Sequence, residues 1–454
     1  MPTYAIAEGV RLLGPYQDSG HAEPRFLVRR ADGKVILVPE LVQHVLDGLL
    51  AGGEADLVAQ RVSTAVGREL STEGLSYLVD EKLRPLGLVE SVNPDPDASA
   101  ATEPVKPVTP HGLVLGLRLR RVLVPPRASR VLATALAPLV WPPVVIAALA
   151  ALVWVDFTLF AHTSVTAVFE GVFVDPPALL GVIGIVLAGT LFHEFGHAAA
   201  CRYGGAQPGA IGVGLYLIFP ALYTDVTDSY RLNRAGRLRT DLGGVYFHVL
   251  WILGCAAAYL ATGYQPLLLV ILLVHLEALE QLLPFVRLDG YFVLADIAGV
   301  PDLFARSGGV LKQLLPGRIS DPALRLRPIT RALVTAWTLI TLPLLAFCLG
   351  YLLWFSPQIA LDTWAAMQDE WVALQAAVAA SDIASVVVSA LSLVLMPLPL
   401  LGLSLVLAAI LVRLGGRLAR RRAARGRRGV PAPRTLAPVT TSLSPRRTFK
   451  ENMS

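Results

Sequence analysis

Six long apolar runs constrain this chain more than any other feature of it. They lie near 131–155, 177–200, 240–262, 265–284, 329–355 and 384–412, with Pro142 and Pro143 expected to kink the first. Each has the length and scarcity of charge of a helix that crosses a bilayer. Backbone polar groups in hydrocarbon must be satisfied within their own segment, so helices are the expected form. Composition agrees: 54% of the 454 residues are hydrophobic and only 16% are charged, too apolar for an ordinary soluble domain. The chain therefore reads as a mostly α polytopic membrane protein with about six transmembrane helices over 131–412. Residues 1–92 are the exception and mix charge with hydrophobe as a soluble α+β domain does. No basic segment followed by a short apolar core opens the chain, so a cleaved signal peptide is not expected and 1–92 is predicted to be cytoplasmic.

Loop charge gives an orientation. Arg118, Arg120, Arg121, Arg127 and Arg130 precede the first run, and the connections 201–239 and 285–328 are also arginine-rich. By contrast, 156–176 and 357–383 hold acids such as Asp156, Glu170, Asp175, Asp369 and Glu370 but no lysine or arginine. This alternation places both termini on the cytoplasmic side of the membrane. Eight arginines between Arg413 and Arg428 open a basic tail, 413–454. Beside an apolar run they read as an anchor to anionic lipid, so the formal charge of +5 does not imply nucleic acid. Cys201, Cys255 and Cys348 show no pairing or metal spacing and read as small core hydrophobes, so no disulfide is expected.

One apolar run carries an unusual load. Within "VLAGTLFHEFGHAAACRYGG", His193, Glu194 and His197 sit where ionisable groups are costly to bury. On a helix, i and i+4 share a face, so the two imidazoles can serve one ion, and HExxH places an acid beside the first of them. A catalytic zinc usually takes three protein ligands and keeps a position for water. Asp289, in "LPFVRLDGYFVLAD" at the end of the fourth run, is the best candidate for the third ligand. By the charge-derived topology it reaches the same membrane level. An Asp-Gly pair is also a common turn. Asp225, Glu277, Glu280 and Asp296 are candidates to support the ligands, and Glu277 and Glu280 are expected to face the bundle interior. A solvated loop is the other reading of Asp225 and Asp228. The stretch "GAIGVGLYLIF" at 209–219 is too short for a span and reads as a strand or re-entrant hairpin, or else as a packed loop. A strand there could hold an extended peptide by main-chain pairing.

"HEFGH" in one apolar helix followed by "LPFVRLDGY" after a later one resembles the site-2-protease class of intramembrane zinc metalloproteases. "FPALYTDVTDSYRL" and "DLGGVYFHVL" are similar to its bacterial peptide zinc metalloprotease branch, and together these motifs cover about 177–300. The resemblance implies one catalytic zinc held by His193, His197 and Asp289, Glu194 as catalytic base, and a bacterial cytoplasmic membrane. Two positions depart from the pattern. At His248 and near Gln281 the family often has asparagine, which can hold substrate backbone or orient the site. His248 is open to three roles: an extra ligand, an oxyanion donor or a packed polar residue.

In 1–92, "FLVRRADGKVILVP" reads as two strands joined at Asp32-Gly33. Helical patterns follow at about 39–51, 54–66 and 71–85, divided by Gly52-Gly53 and capped at Ser71. Residues 93–130 read as a linker, disordered over 93–112, and a basic juxtamembrane segment. Strands, three short helices and "RPLGLV" resemble the winged-helix leader-recognition domain of the PqqD type. That resemblance implies binding of a precursor-peptide leader. A generic winged helix would bind DNA, but "STEGLSYLVDEKL" has three acids and one lysine, the wrong charge for phosphate contact.

These readings converge on a membrane-embedded zinc endopeptidase acting near the cytoplasmic face on the leader of a ribosomally made, modified peptide, with the peptide and the bilayer as partners. Regulated cleavage of a membrane-anchored signalling protein is the alternative of the same chemistry. A non-catalytic peptide-binding export or immunity component is the alternative of another class.

Overall fold

Short strands and amphipathic helices build the front of the chain. The computed structural model describes residues 4–31, 35–91, 117–162, 172, 175–216, 218–313 and 326–428. Strands β1 (Tyr4–Ile6), β2 (Arg11–Pro15), β3 (Arg25–Arg29) and β4 (Val35–Pro39) are followed by helices α1 (Glu40–Leu50), α2 (Ala55–Val66) and α3 (Thr72–Leu78). Helix α3 runs into a π-turn at Val79–Leu83 before β5 (Val89–Ser91). All three expected helices form, and the Ser71 hydroxyl accepts from the Gly74 amide at 3.1 Å as a cap should. The β3–β4 pair also forms, in antiparallel register, while the Asp32-Gly33 turn and the linker 93–112 lie outside the described residues. Two strand pairings go beyond expectation: β2 joins the edge of β3, and β1 pairs β5. Val28, Leu46, Leu75, Val79, Leu83 and Leu88 form the buried core.

Strand β6 (Leu117–Val124) opens the described part beyond the linker, where a juxtamembrane segment was expected. Helix α4 (Pro126–Leu136), a 3-10 turn (Ala137–Val140) and helix α5 (Pro142–His162) replace the expected first span. Trp141 before Pro142 is extended, as the proline ring requires of its predecessor. Helix α6 (Pro176–Tyr203) begins with prolines in its first turn and Asp175 as its cap. Then come β7 (Ile211–Tyr216), β8 (Phe219–Thr224), a 3-10 turn (Thr227–Arg231), and helices α7 (Arg234–Asp241), α8 (Gly243–Thr262), α9 (Pro266–Gln281), α10 (Asp289–Ala298) and α11 (Leu303–Gln313). The 209–219 stretch is thus a hairpin. It lies in a sheet of order β6-β7-β8 with β7 central.

Helices α12 (Pro328–Ala379), α13 (Ile383–Leu395) and α14 (Leu398–Arg428) complete the described chain. The expected loop 357–383 is helical up to Ala379. Its acids mark a change of surroundings rather than a break, and an alanine-rich stretch without glycine continues the helix readily. Among the described residues five segments are long and apolar enough to cross a membrane: 142–159, 176–203, 243–262, 328–379 and 383–416. Helix α9, expected as a sixth, has 16 residues and about 24 Å of length, short of a hydrocarbon core of about 30 Å. Pro284 stops it.

Two packing features brace the helical part of the chain. Helices α6 and α8 touch backbone to backbone, since a Cβ on Gly243 would lie 2.6 Å from the Gly196 carbonyl oxygen. Close approach through small residues is how helices gain contact where no hydrophobic drive exists between them. Farther out, the β2–β3 loop docks on the helical part. The Gly20 amide donates to the Gly299 carbonyl at 3.0 Å, and the Arg327 amide donates to the Gly20 carbonyl at 2.9 Å.

Candidate metal centre

Helix α6 turns His193 and His197 toward one point, and the start of α10 brings Asp289 to it. The two Nε2 atoms are 3.0 Å apart, and each lies 3.3 Å from Asp289 Oδ2. Both histidines are buried. Asp289 Oδ2 is itself buried and has no hydrogen bond, so three donor atoms converge with no proton aligned between imidazole and carboxylate. A cation satisfies such a set directly. Two imidazoles and a carboxylate suit zinc among the common divalent ions, although the donor types do not single it out.

Glycines shape the space around these donors. A Cβ on Gly244 would run into the His193 ring and lie 2.5 Å from His197 Nε2, so α8 contributes bare backbone there. Gly290 presses against the Leu282 carbonyl, which folds the chain tightly and aims Asp289 inward. The Asp-Gly pair therefore opens α10 rather than forming a separate turn, and Asp289 belongs to the three-residue cluster.

Each of the two histidines has a support. His197 Nδ1 donates to the Thr240 carbonyl at 2.9 Å, which leaves Nε2 free to bind an ion. His193 Nδ1 meets His248 Nδ1 at 3.3 Å. His248 thus reaches the ring nitrogen opposite the one that faces Asp289, and it lies outside the three-residue cluster. Glu194 is buried, and its Oε2 accepts from the Thr224 hydroxyl at 2.6 Å. Thr224 Oγ1 also lies 3.0 Å from the Glu194 carbonyl oxygen. Its single proton belongs on the shorter contact, so β8 holds this carboxylate in place.

The remaining candidates divide. Glu277 accepts from the Thr190 hydroxyl at 2.9 Å and has its other oxygen 3.7 Å from His248 Nε2, so it belongs to the site's surroundings. Glu280 is exposed rather than interior, and Gln281 ends α9. Neither is hydrogen-bonded to the three-residue cluster among the described residues. Asp225 closes the base of the hairpin, accepting from the Thr227 amide at 3.1 Å and the Thr227 hydroxyl at 2.6 Å. Asp228 accepts from the Gln207 amide.

Asp296 lies a layer behind the site. It pairs with Arg237 Nε at 2.9 Å and accepts from the Tyr16 hydroxyl at 3.3 Å. The Arg237 guanidinium sits 4.5 Å over the Tyr16 ring. Burial, and then the neighbouring Asp296 charge, push the Asp241 carboxyl well up. Burial and Asp296 raise the Tyr16 and Tyr230 phenols as well. Sequence reading missed Thr190, Thr224, Thr240, Arg237 and Gly244. Only Gly244 had a visible signal, lying one helical turn before His248 in "DLGGVYFHVL". Compared with family models, curated proteins and solved structures, the chain finds no match.

Proposed function

We propose that this chain is a membrane-embedded zinc endopeptidase that cleaves a peptide near the cytoplasmic membrane face, and that its substrates are leaders of ribosomally made, modified peptides. One observation carries the proposal: His193, His197 and Asp289 meet around one point, with the Glu194 carboxylate next in sequence to the first of them. A structural ion needs no acid held there.

When bound, zinc supplies Lewis acidity to the scissile carbonyl and lowers the pKa of water at the site. Glu194 takes a proton from the attacking water as its oxygen joins the carbonyl carbon. The same carboxyl then gives that proton to the amine as the C–N bond breaks. Thr224 keeps Glu194 oriented, and Thr240 and His248 keep the imidazoles oriented. The free side of β8, which has no strand partner among the described residues, offers backbone groups to an extended peptide. Thr224 ends that strand, so a paired peptide would run toward Glu194. The front domain would deliver the leader, and tethering raises its local concentration. The arginine bias of the connecting segments supports the cytoplasmic side.

The test is cleavage of leader-plus-core peptides by the purified full chain in detergent. Wild type should cut them and a chelator should stop it, while Glu194→Gln should lose about 100-fold or more of the rate. Cleavage of membrane-anchored substrates alone would redirect the proposal to regulated intramembrane proteolysis. Zinc-loaded protein that cuts neither would leave a peptide-binding role.

A further inference from the structure

His248 and Glu277 are both costly to bury in an apolar bundle, yet His248 is fully buried and Glu277 is half-buried. Each has one polar atom without a hydrogen bond, His248 Nε2 and Glu277 Oε2. These two atoms face each other at 3.7 Å, about half an ångström beyond hydrogen-bonding distance. The other ends of both side chains lead back to α6. His248 Nδ1 meets His193 Nδ1 at 3.3 Å, and Glu277 Oε1 accepts from Thr190 Oγ1 at 2.9 Å. Thr190 and His193 lie one turn apart on that helix. Four side chains from α6, α8 and α9 therefore close a ring behind the candidate ligand.

Proton placement around this ring has one consistent solution if His193 Nε2 gives its lone pair to an ion. The His193 proton must then sit on Nδ1, whose neighbour is His248 Nδ1. For that contact to be a hydrogen bond, His248 Nδ1 must accept, so the His248 proton sits on Nε2. That N–H is on the side of Glu277 Oε2, which as a carboxylate oxygen accepts. Reversing His248 would set two N–H groups against each other at one end and a lone pair against a carboxylate at the other.

Resting on the zinc reading of this site, we propose that His248 and Glu277 are positioning residues that fix the tautomer and ring orientation of His193 through this relay. His248 is then neither a ligand nor a passive filler. Partners of ligating histidines typically contribute 10- to 100-fold in metal affinity.

The test is zinc affinity of the full chain by chelator competition. His248→Leu should bind about 10- to 100-fold more weakly. His248→Asn should stay within a few-fold of wild type, because its side-chain oxygen can occupy the place of Nδ1 and accept from His193. Glu277→Leu added to His248→Leu should weaken binding little further, since one relay is already broken. Nitrogen-15 histidine spectra of zinc-loaded wild type should show His248 with its proton on Nε2, a readout that does not depend on any variant folding. Equal affinities for wild type and His248→Leu, equal losses for the Leu and Asn variants, or a His248 proton on Nδ1 would each overturn the relay. Wild type that binds no zinc would instead overturn the metal centre beneath it.

Discussion

His193 and His197 occupy one helix four residues apart, yet they are supported in opposite ways. Behind His193 stand side chains from within the bundle, His248 and then Glu277. Behind His197 stands a backbone carbonyl, that of Thr240, in a helix held by the Arg237–Asp296 pair and covered by Tyr16. The first support depends on α6, α8 and α9 alone. The second involves a loop of the front domain, since Arg237 also donates to the Gln17 carbonyl at 3.2 Å and the Arg234 amide to Asp18 at 3.0 Å. The two halves of the histidine pair should therefore fail separately. Helices α7 and α10 supply Thr240 and Asp289, and Arg237 ties them together, so damage there should reach the site through the backbone.

The largest break in this comparison should come from Arg237→Ala. Arg237 is 1% exposed, and removing one member of a buried ion pair costs about 3–5 kcal/mol. Thermal unfolding should move down accordingly, and hydrogen exchange at Thr240 should rise while that around His248 holds. Thr224→Val comes next. It removes one hydrogen bond to the Glu194 carboxylate, a contact to a charged group worth about 1.5–3 kcal/mol. Peptide cleavage should fall about tenfold or more with zinc content unchanged, separating base positioning from ligand support.

Tyr16→Phe should do less. It keeps the ring under Arg237 and loses one hydrogen bond, about 0.5–1.5 kcal/mol, read as a small drop in the unfolding midpoint. The smallest effect should be acid-dependent and confined to the docked loop. Burial first, then the Arg306 and Arg25 charges, lower His21 from 6.5 to about 4, and its Nε2 accepts from Arg306 at 3.1 Å. His21 is neutral in the fold, so its contribution is intact above about pH 6.5. As pH falls from there toward about 4, the free chain takes up a proton that the docked loop resists, and docking weakens. Proteolysis within 16–21 should increase over that window in wild type and much less in His21→Gln.

Much of this was legible from local pattern. Period 3.6 put His193 and His197 on one face, and capping at Ser71 located α3. What stayed hidden was decided by partners distant in sequence. Thr240 and Thr224 act through contacts that depend on how α7 and β8 pack on α6, and nothing in their own neighbourhood marks them. Glu277 and Glu280 look alike three residues apart, but α9 ends just beyond Glu280, where one residue remains in the bundle and the other leaves it. Polarity misled at 357–379, because acids report solvent or headgroup contact and not the end of a helix.

Zinc stoichiometry of the purified full chain is the decisive measurement for the His193–His197–Asp289 centre. One zinc per chain is expected in wild type and in Glu194→Gln, with loss in His193→Ala, His197→Ala and Asp289→Ala. Retention of zinc by the Asp289 variant, or its absence from wild type, would contradict it.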